Sequence, residues 1–232
     1  LLAYGRNGQK CVVCHRFLRF IKVNGRGTTY CPHCQIKRGK PLKIAIVGKI
    51  ASGKSAVLDI FKKENYFVIF SDEVVHDLYK QKAIQELIIK RFKLKVKDDF
   101  LATLREHLKV KNEDLDKLEK IIHPLVKKEI ESAFKKSSSS LLVAEVPLLF
   151  KAKMENMFDI IIGVGISETN QLERLNIRDQ EKSAFLKRIN DLNNMFNEHY
   201  EDLDFVIDNN NDLKSLTKIT KEIINKVLSR LD

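Results

Sequence analysis

Gly48-Lys-Ile-Ala-Ser-Gly-Lys54-Ser55 follows the apolar run Leu42–Val47 and opens a helical pattern. The octet fits the phosphate-binding loop G-x-x-x-x-G-K-[ST], and a strand before with a helix after is the context that motif requires. Its glycines let the backbone curl closely enough for N–H groups to face phosphate oxygens. The helix starting near Lys54 adds its positive end. Lys54 would neutralise the β and γ phosphates of a nucleoside triphosphate, and the Ser55 hydroxyl would ligate Mg²⁺. Gly48, Ala51, Ser52, Gly53 and Ala56 complete the expected ATP and Mg²⁺ contacts. The competing reading, a glycine-containing turn that binds nothing, leaves the agreement of strand, loop, Lys-Ser and helix unexplained.

Working outward, apolar runs at Lys43–Val47, Tyr66–Phe70, Leu141–Val146, Ile160–Val164 and Phe205–Ile207 predict strands. Amphipathic helical stretches lie between them, the longest uninterrupted helical region running from about Asp72 to Lys136. Ser137–Ser140 reads as a loop. Strands alternating with helices predict an α/β fold, a parallel sheet covered by helices on both faces. No run approaches the roughly 18 apolar residues of a membrane span, and no secretory signal is visible, so a cytoplasmic setting is expected. The chain begins with Leu1 and reads as a piece of a longer polypeptide.

Charge and cysteine divide the 232 residues unevenly. Of the 42 Lys and Arg, nine fall in residues 1–40, which hold none of the 31 acidic residues. That segment therefore carries nearly all of the net charge of +11, which points to a polyanionic partner. All four cysteines lie there as well: Cys11-x-x-Cys14, sixteen residues, then Cys31-x-x-Cys34. Such paired knuckles suit a tetrahedral Zn²⁺ with no open position, hence a structural metal. Two disulfides are the alternative, and they fit a cytosolic chain poorly. A segment with so little core would draw much of its folding free energy from the metal.

Tyr4-Gly-Arg-Asn-Gly8, Cys11-Val-Val-Cys14 and Gly25-Arg-Gly-Thr28-Thr-Tyr-Cys-Pro-His-Cys-Gln35 resemble the C-terminal zinc finger of formamidopyrimidine-DNA glycosylases, over about residues 1–36. The resemblance implies a small β-hairpin, with an arginine at Arg26 touching the DNA backbone. It also implies that the catalytic proline and glutamate of that family lie in a domain this chain lacks. Residues 37–42 read as a basic linker.

Five further segments point elsewhere. They are Val68-Ile-Phe-Ser-Asp72-Glu; Leu104-Arg105 followed by Ile121-Ile-His123-Pro124-Leu-Val126; Glu145-Val-Pro147-Leu-Leu-Phe150; Gln171-x-x-Arg174-x-x-x-Arg178-Asp179; and Asp204-Phe-Val-Ile-Asp-Asn209-Asn. In this order they resemble dephospho-CoA kinase over nearly all of residues 43–230, within an expected domain of residues 43–232. The resemblance implies a P-loop kinase that phosphorylates the ribose 3′-hydroxyl of dephospho-CoA with ATP. It makes Asp72 the base that accepts the hydroxyl proton, a task suited to a carboxylate at a strand's C-terminal end. Asp72 also suits a helix N-cap. Arg174 and Arg178, one helical turn apart, would close over the triphosphate, or simply form a solvated face. Arg105 and His123 are the candidates on the acceptor side, with a surface arginine and a structural histidine as the alternatives. The family's Asp-x-Asp is Phe70-Ser71-Asp72 here, its frequent loop glycine is Ala51, and a common glutamine is Leu192.

Three functions are thus on offer: a kinase of dephospho-CoA carrying a fused or vestigial finger, a nucleic-acid-binding module switched by an ATPase-like domain, and a fragment of a DNA-repair glycosylase. Finger and kinase are expected to act as separate units. Oligomeric state is left open by the sequence.

Overall fold

Strands buried on both faces must be apolar throughout, and three segments satisfy this. β3 (Leu42–Gly48, LKIAIVG), β5 (Leu141–Glu145, LLVAE) and β6 (Ile160–Gly165, IIIGVG) are buried along nearly their whole length. The computed structural model of the chain describes all residues except 1, 14, 16, 24, 32, 33, 36–39, 97, 176–189, 192 and 230–232. With β4 (Phe67–Phe70) and β7 (Phe205–Asp208) the three strands form a five-stranded sheet in the order β4-β5-β3-β6-β7. β3 runs parallel to β5, with Leu42 opposite Leu141, and parallel to β6, with Ile44 opposite Ile160; β6 is parallel to β7. The chain leaves β3 for opposite sides of the sheet, so the crevice beyond its C-terminal end is a switch point where ligands bind.

Two aspartates set this register. Asp159 precedes β6, and its Oδ2 accepts the Lys43 N–H at 2.9 Å while its own N–H donates to Lys43 O at 2.8 Å. Asp204 precedes β7 and repeats the arrangement on Ile161, at 2.6 and 2.8 Å. Since a one-residue slip would reverse every side chain, these paired bonds fix which residues face the core. On the outer strand, the Ser139 hydroxyl accepts the Phe67 N–H at 3.2 Å and donates to Leu141 O at 2.7 Å.

Helix α1 (Lys54–Lys63) buries Val57, Leu58, Ile60 and Phe61. Each contributes about 1.5–3 kcal/mol when fully removed from water. The last helix, α7 (Leu213–Leu228), packs beside it through Leu216, Thr220, Ile223, Ile224 and Val227. Asp212 caps α7 by accepting the Ser215 N–H at 2.8 Å. Helix α6 (Glu168–Leu175) follows β6.

By packing, the chain divides into Leu1–Val68 with Ser138–Asp232, and Ile69–Ser137. The second unit resolves the long helical region into α2 (Ser71–Lys80), α3 (Lys82–Phe92), α4 (Phe100–Val110) and α5 (Asp114–Lys136). Along α5, Leu118, Ile122, Val126, Ile130 and Phe134 recur every fourth residue as a buried stripe. Pro124 falls on the exposed side of that stripe and the helix runs through it. Asp114 joins α4 to α5, taking His107 Nε2 at 2.8 Å and Lys117 Nζ at 2.6 Å. Those bonds, the lysine's first, hold its carboxyl below the usual carboxylate range.

The basic N-terminal segment forms an antiparallel hairpin of β1 (Arg19–Val23) and β2 (Arg26–Tyr30), with Arg19 opposite Tyr30. Among the described residues its core is Cys11, Leu18 and Cys31, with Ala3 packed against them. The hairpin belongs to the same packing unit as the sheet. Arg19 Nη2 reaches from β1 to Glu155 O at 3.3 Å and Phe158 O at 3.2 Å. These carbonyls belong to the short 3-10 turn Glu155–Met157 and its exit. The guanidinium also opposes the rise that burial imposes on the pKa of Asp159. The expectation of fully separate units therefore meets a specific bridge. Arg19→Ala should lower stability in urea by about 1.5–3 kcal/mol, the range for hydrogen bonds to a charged group. An unchanged midpoint would mean that the contact adds nothing in solution.

Candidate active site

The loop leaves β3 at Gly48, where a side chain has no room. A Cβ there would lie 2.4 Å from Val164 O and 2.9 Å from Ser52 Oγ. Ala51 then takes φ +57° and Gly53 φ +88°, both left-handed. Gly53 is also the N-cap of α1, and no side chain caps this helix or places an acid in its first turn. Its leading N–H groups, including those of Ser55 and Ala56, thus belong to a helix end suited to an anion. The Ser52 hydroxyl is buried with no hydrogen-bond partner among the described residues.

Lys54 is drawn back over the loop. Its Nζ donates to Lys49 O at 3.1 Å and Gly48 O at 3.4 Å, and lies 4.0 Å from Glu145 Oε1. Lysine and glutamate side chains are 12% and 11% exposed, so the pair is only weakly screened by solvent. Glu145 ends β5, one strand over from the loop, placing a carboxylate beside the loop lysine. Beside them Val47, Gly48, Ile50, Lys54, Pro147, Phe150, Met195 and Phe196 line a mostly apolar cavity. Phe150 stacks on His199, ring centres 4.0 Å apart and 8° from parallel. His199 Nδ1 is 2.8 Å from Asp202 Oδ2.

Of the residues picked from sequence, Gly48, Ala51, Ser52, Gly53, Lys54, Ser55 and Ala56 share the loop and first turn of α1. Arg174, on α6, meets them, but on the loop's backbone: Nη1 donates to Ala51 O at 3.3 Å and Nη2 to Asn209 O at 2.9 Å. Arg178 lies outside the described residues. Asp72, Arg105 and His123 belong to the unit Ile69–Ser137, on α2, α4 and α5. Asp72 is exposed and sits in the first turn of α2, whose N-cap is Phe70. The capping alternative for Asp72 is thereby corrected: the N-cap is Phe70 and Ser71 already has helical conformation, so the boundary falls two residues earlier than a cap at Asp72 needs. Glu145, Gln171, Asn193 and Asn209 received no role from sequence, although Glu145, Gln171 and Asn209 stand in the quoted motifs.

In the hairpin, the Sγ atoms of Cys11, Cys31 and Cys34 lie within 4.8 Å of one another, and Cys11 is 4.0 Å from Cys34. A disulfide needs about 2.05 Å between sulfurs, so these two are not bridged. Thiolates about 2.3 Å from a tetrahedral Zn²⁺ stand about 3.8 Å apart, which fits. The Val13 N–H points at Cys11 Sγ (3.4 Å) and the Cys34 N–H at Cys31 Sγ (3.3 Å), as suits sulfurs carrying negative charge. Cys14, the expected fourth ligand, lies outside the described residues.

Two expected outcomes follow from this geometry. Gly53→Ala should abolish nucleotide binding, because its Cβ would fall 2.3 Å from Asn209 Nδ2 at a left-handed φ; equilibrium dialysis with Mg·ADP checks it. Ala51→Gly should raise thermal stability by up to about 1 kcal/mol, by relieving the left-handed strain net of glycine's greater entropy in the unfolded chain.

Comparison with known proteins agrees with this geometry. The family model described as dephospho-CoA kinase matches residues 42–215. A second, described as the zinc finger found in FPG and IleRS, matches residues 8–36. The dephospho-CoA kinase of Bartonella quintana is 34% identical over 190 residues, covering 80% of this chain and 97% of that protein. That of Fusobacterium nucleatum is 31% identical over 179 residues, covering 75% and 93%. The fold matches the crystal structure of TT1252 from Thermus thermophilus, with a TM-score of 0.66 at 22% identity over 83% of this chain and 99% of that one. It also matches dephospho-CoA kinase from Campylobacter jejuni, with a TM-score of 0.61 at 23% identity over 80% and 96%. With loop, sheet order and sequence in agreement over residues 42–215, the chain belongs to the dephospho-CoA kinase family.

Proposed function

We propose that the chain transfers the γ-phosphoryl group of ATP to the ribose 3′-hydroxyl of dephospho-CoA, giving coenzyme A and ADP. The observation that carries this reading is the uncapped, left-handed loop before α1 with Lys54 beside Glu145, in a chain of this family. The acceptor oxygen bonds to the γ-phosphorus, the bond to the β–γ bridging oxygen breaks, and the hydroxyl proton passes to Asp72. Lys54 exchanges its carbonyl contacts for the β and γ phosphates, where its charge counts most as negative charge shifts toward the bridging oxygen. Ser55 is the residue that would hold Mg²⁺, which would supply further charge neutralisation. Arg178 is proposed to add to the phosphate contacts, and Arg105 and His123 to the acceptor side. Among the described residues no helix is long and apolar enough to cross a membrane, which supports a cytoplasmic enzyme.

The finger supports a second, separate activity. Arg26 is exposed at the start of β2, in a segment of nine cations and no acids, so the hairpin is proposed to grip DNA phosphates without reading sequence. It is read as a remnant of, or fusion with, a glycosylase's DNA-holding end, and no base excision is expected.

Coupled assay of ADP release with dephospho-CoA tests the first reading. Lys54→Ala should all but abolish turnover, and Asp72→Asn should lower it by about 10²–10⁴. An Asp72→Asn loss below about tenfold would assign the proton to another group. For the finger, Arg26→Ala should weaken binding to duplex DNA and flatten its salt dependence without changing zinc content. Binding that is indifferent to salt would rule out phosphate contacts.

A further inference from the structure

Three consecutive loop carbonyls each receive a hydrogen bond from the side chain of a distant element. Gln171 Nε2 donates to Ile50 O at 2.7 Å, Arg174 Nη1 to Ala51 O at 3.3 Å, and Asn209 Nδ2 to Ser52 O at 2.7 Å. Gln171 and Asn209 are 3% and 6% exposed, so water competes little for their two bonds, whereas the Arg174 bond is exposed. Each donor is itself held. Gln171 exchanges amide hydrogen bonds with Asn193, at 2.9 and 3.3 Å. Asn209 continues the β6–β7 ladder through its N–H to Gly165 O at 3.0 Å. Arg174 Nη2 on Asn209 O ties the second donor to the third.

In a trans peptide the N–H points opposite to the preceding carbonyl, and no described peptide is cis. Holding Ile50 O and Ser52 O on the donors' side therefore turns the N–H groups of Ala51 and Gly53 to the other side. The intervening Ser52 N–H closes a turn on Lys49 O at 3.2 Å. A peptide flip at either position would instead aim a carbonyl where phosphate oxygens must sit. The loop's strain has the same explanation. Left-handed φ at Ala51 and Gly53 persists only where surroundings over-determine it, and the absent side chain of Gly53 is what lets the Asn209 amide approach.

We propose that Gln171, Arg174 and Asn209 are positioning residues, a clamp on three carbonyls that presets the loop's amides for a nucleoside polyphosphate. The proposal rests on reading this loop as the ATP site. The clamp acts on the polyphosphate alone, so nucleotide affinity depends on it and acceptor affinity does not. Preorganisation of this kind removes an ordering penalty from each binding event.

Calorimetric titration of Mg·ADP into the full chain tests it, using Asn209→Asp, which keeps size but offers an acceptor to Ser52 O, and Gln171→Met, which keeps volume but removes the donor. Each should weaken Mg·ADP about tenfold, while KM for dephospho-CoA stays within about twofold. Asn170→Ala serves as comparison, because that amide bonds Asn210 O (3.1 Å) and not the loop; its Mg·ADP affinity should match wild type. Wild-type affinity in both clamp variants would overturn the proposal. So would a parallel loss of ADP and dephospho-CoA affinity with a lowered melting temperature, since the side chains would then hold the fold rather than the loop. Because ADP binding needs no acceptor, a wild type that binds Mg·ADP but leaves dephospho-CoA unphosphorylated would undo the functional reading and leave the clamp intact. A wild type that binds no Mg·ADP would overturn both.

Discussion

A backbone that is to receive phosphate has to keep its amides pointed at the ligand before the ligand arrives, and peptide groups do not hold such a pose unaided. Every other feature of the sheet unit bears on this constraint. β3 delivers the loop from the middle of the sheet, locked on both sides by buried parallel partners. α1 begins without a side-chain cap, so its dipole acts on the site instead of on a capping residue. Val164 O crowds Gly48 and Asn209 crowds Gly53, so the glycines answer to particular neighbours and not to a general need for flexibility.

Electrostatically the site is arranged around Lys54. Resting on two carbonyls and near Glu145, the ammonium stays solvated by protein dipoles within a half-closed environment. It needs no long-range rearrangement to meet an anion, because the loop that holds it is the loop that binds. Glu145, 4.0 Å away, offsets part of the lysine's positive charge.

Much of this was legible in the sequence, for identifiable reasons. The three central strands declared themselves because a doubly covered parallel strand tolerates little but apolar residues, and all five strands of this sheet appear within about two residues of their expected bounds. The shared placement of Lys54, Ser55 and the glycines in one loop before a helix was legible because the motif is local and carries its own geometry. What stayed hidden depends on contacts between residues far apart in the chain. Gln171 and Asn209 are polar residues in helix or loop whose importance arises only when folding brings them to Ile50 and Ser52. Asp159 and Asp204 precede strands like any turn residue, and nothing local marks them as register pins. Asp72 lies a residue inside its helix instead of at the cap, because backbone conformation at Phe70 and Ser71, not side-chain preference, set the boundary.

The bridge made by Arg19 has a consequence for how such a chain changes over generations. It addresses two main-chain oxygens, Glu155 O and Phe158 O, which every amino acid supplies. Sequence drift on the receiving side, even replacement of Glu155 or Phe158, leaves the docking point in place while the short turn keeps its shape. A hairpin held through one arginine on two main-chain oxygens asks for no matching side chain on the surface it touches. The converse also holds, since any substitution at position 19 removes both of these hydrogen bonds at once.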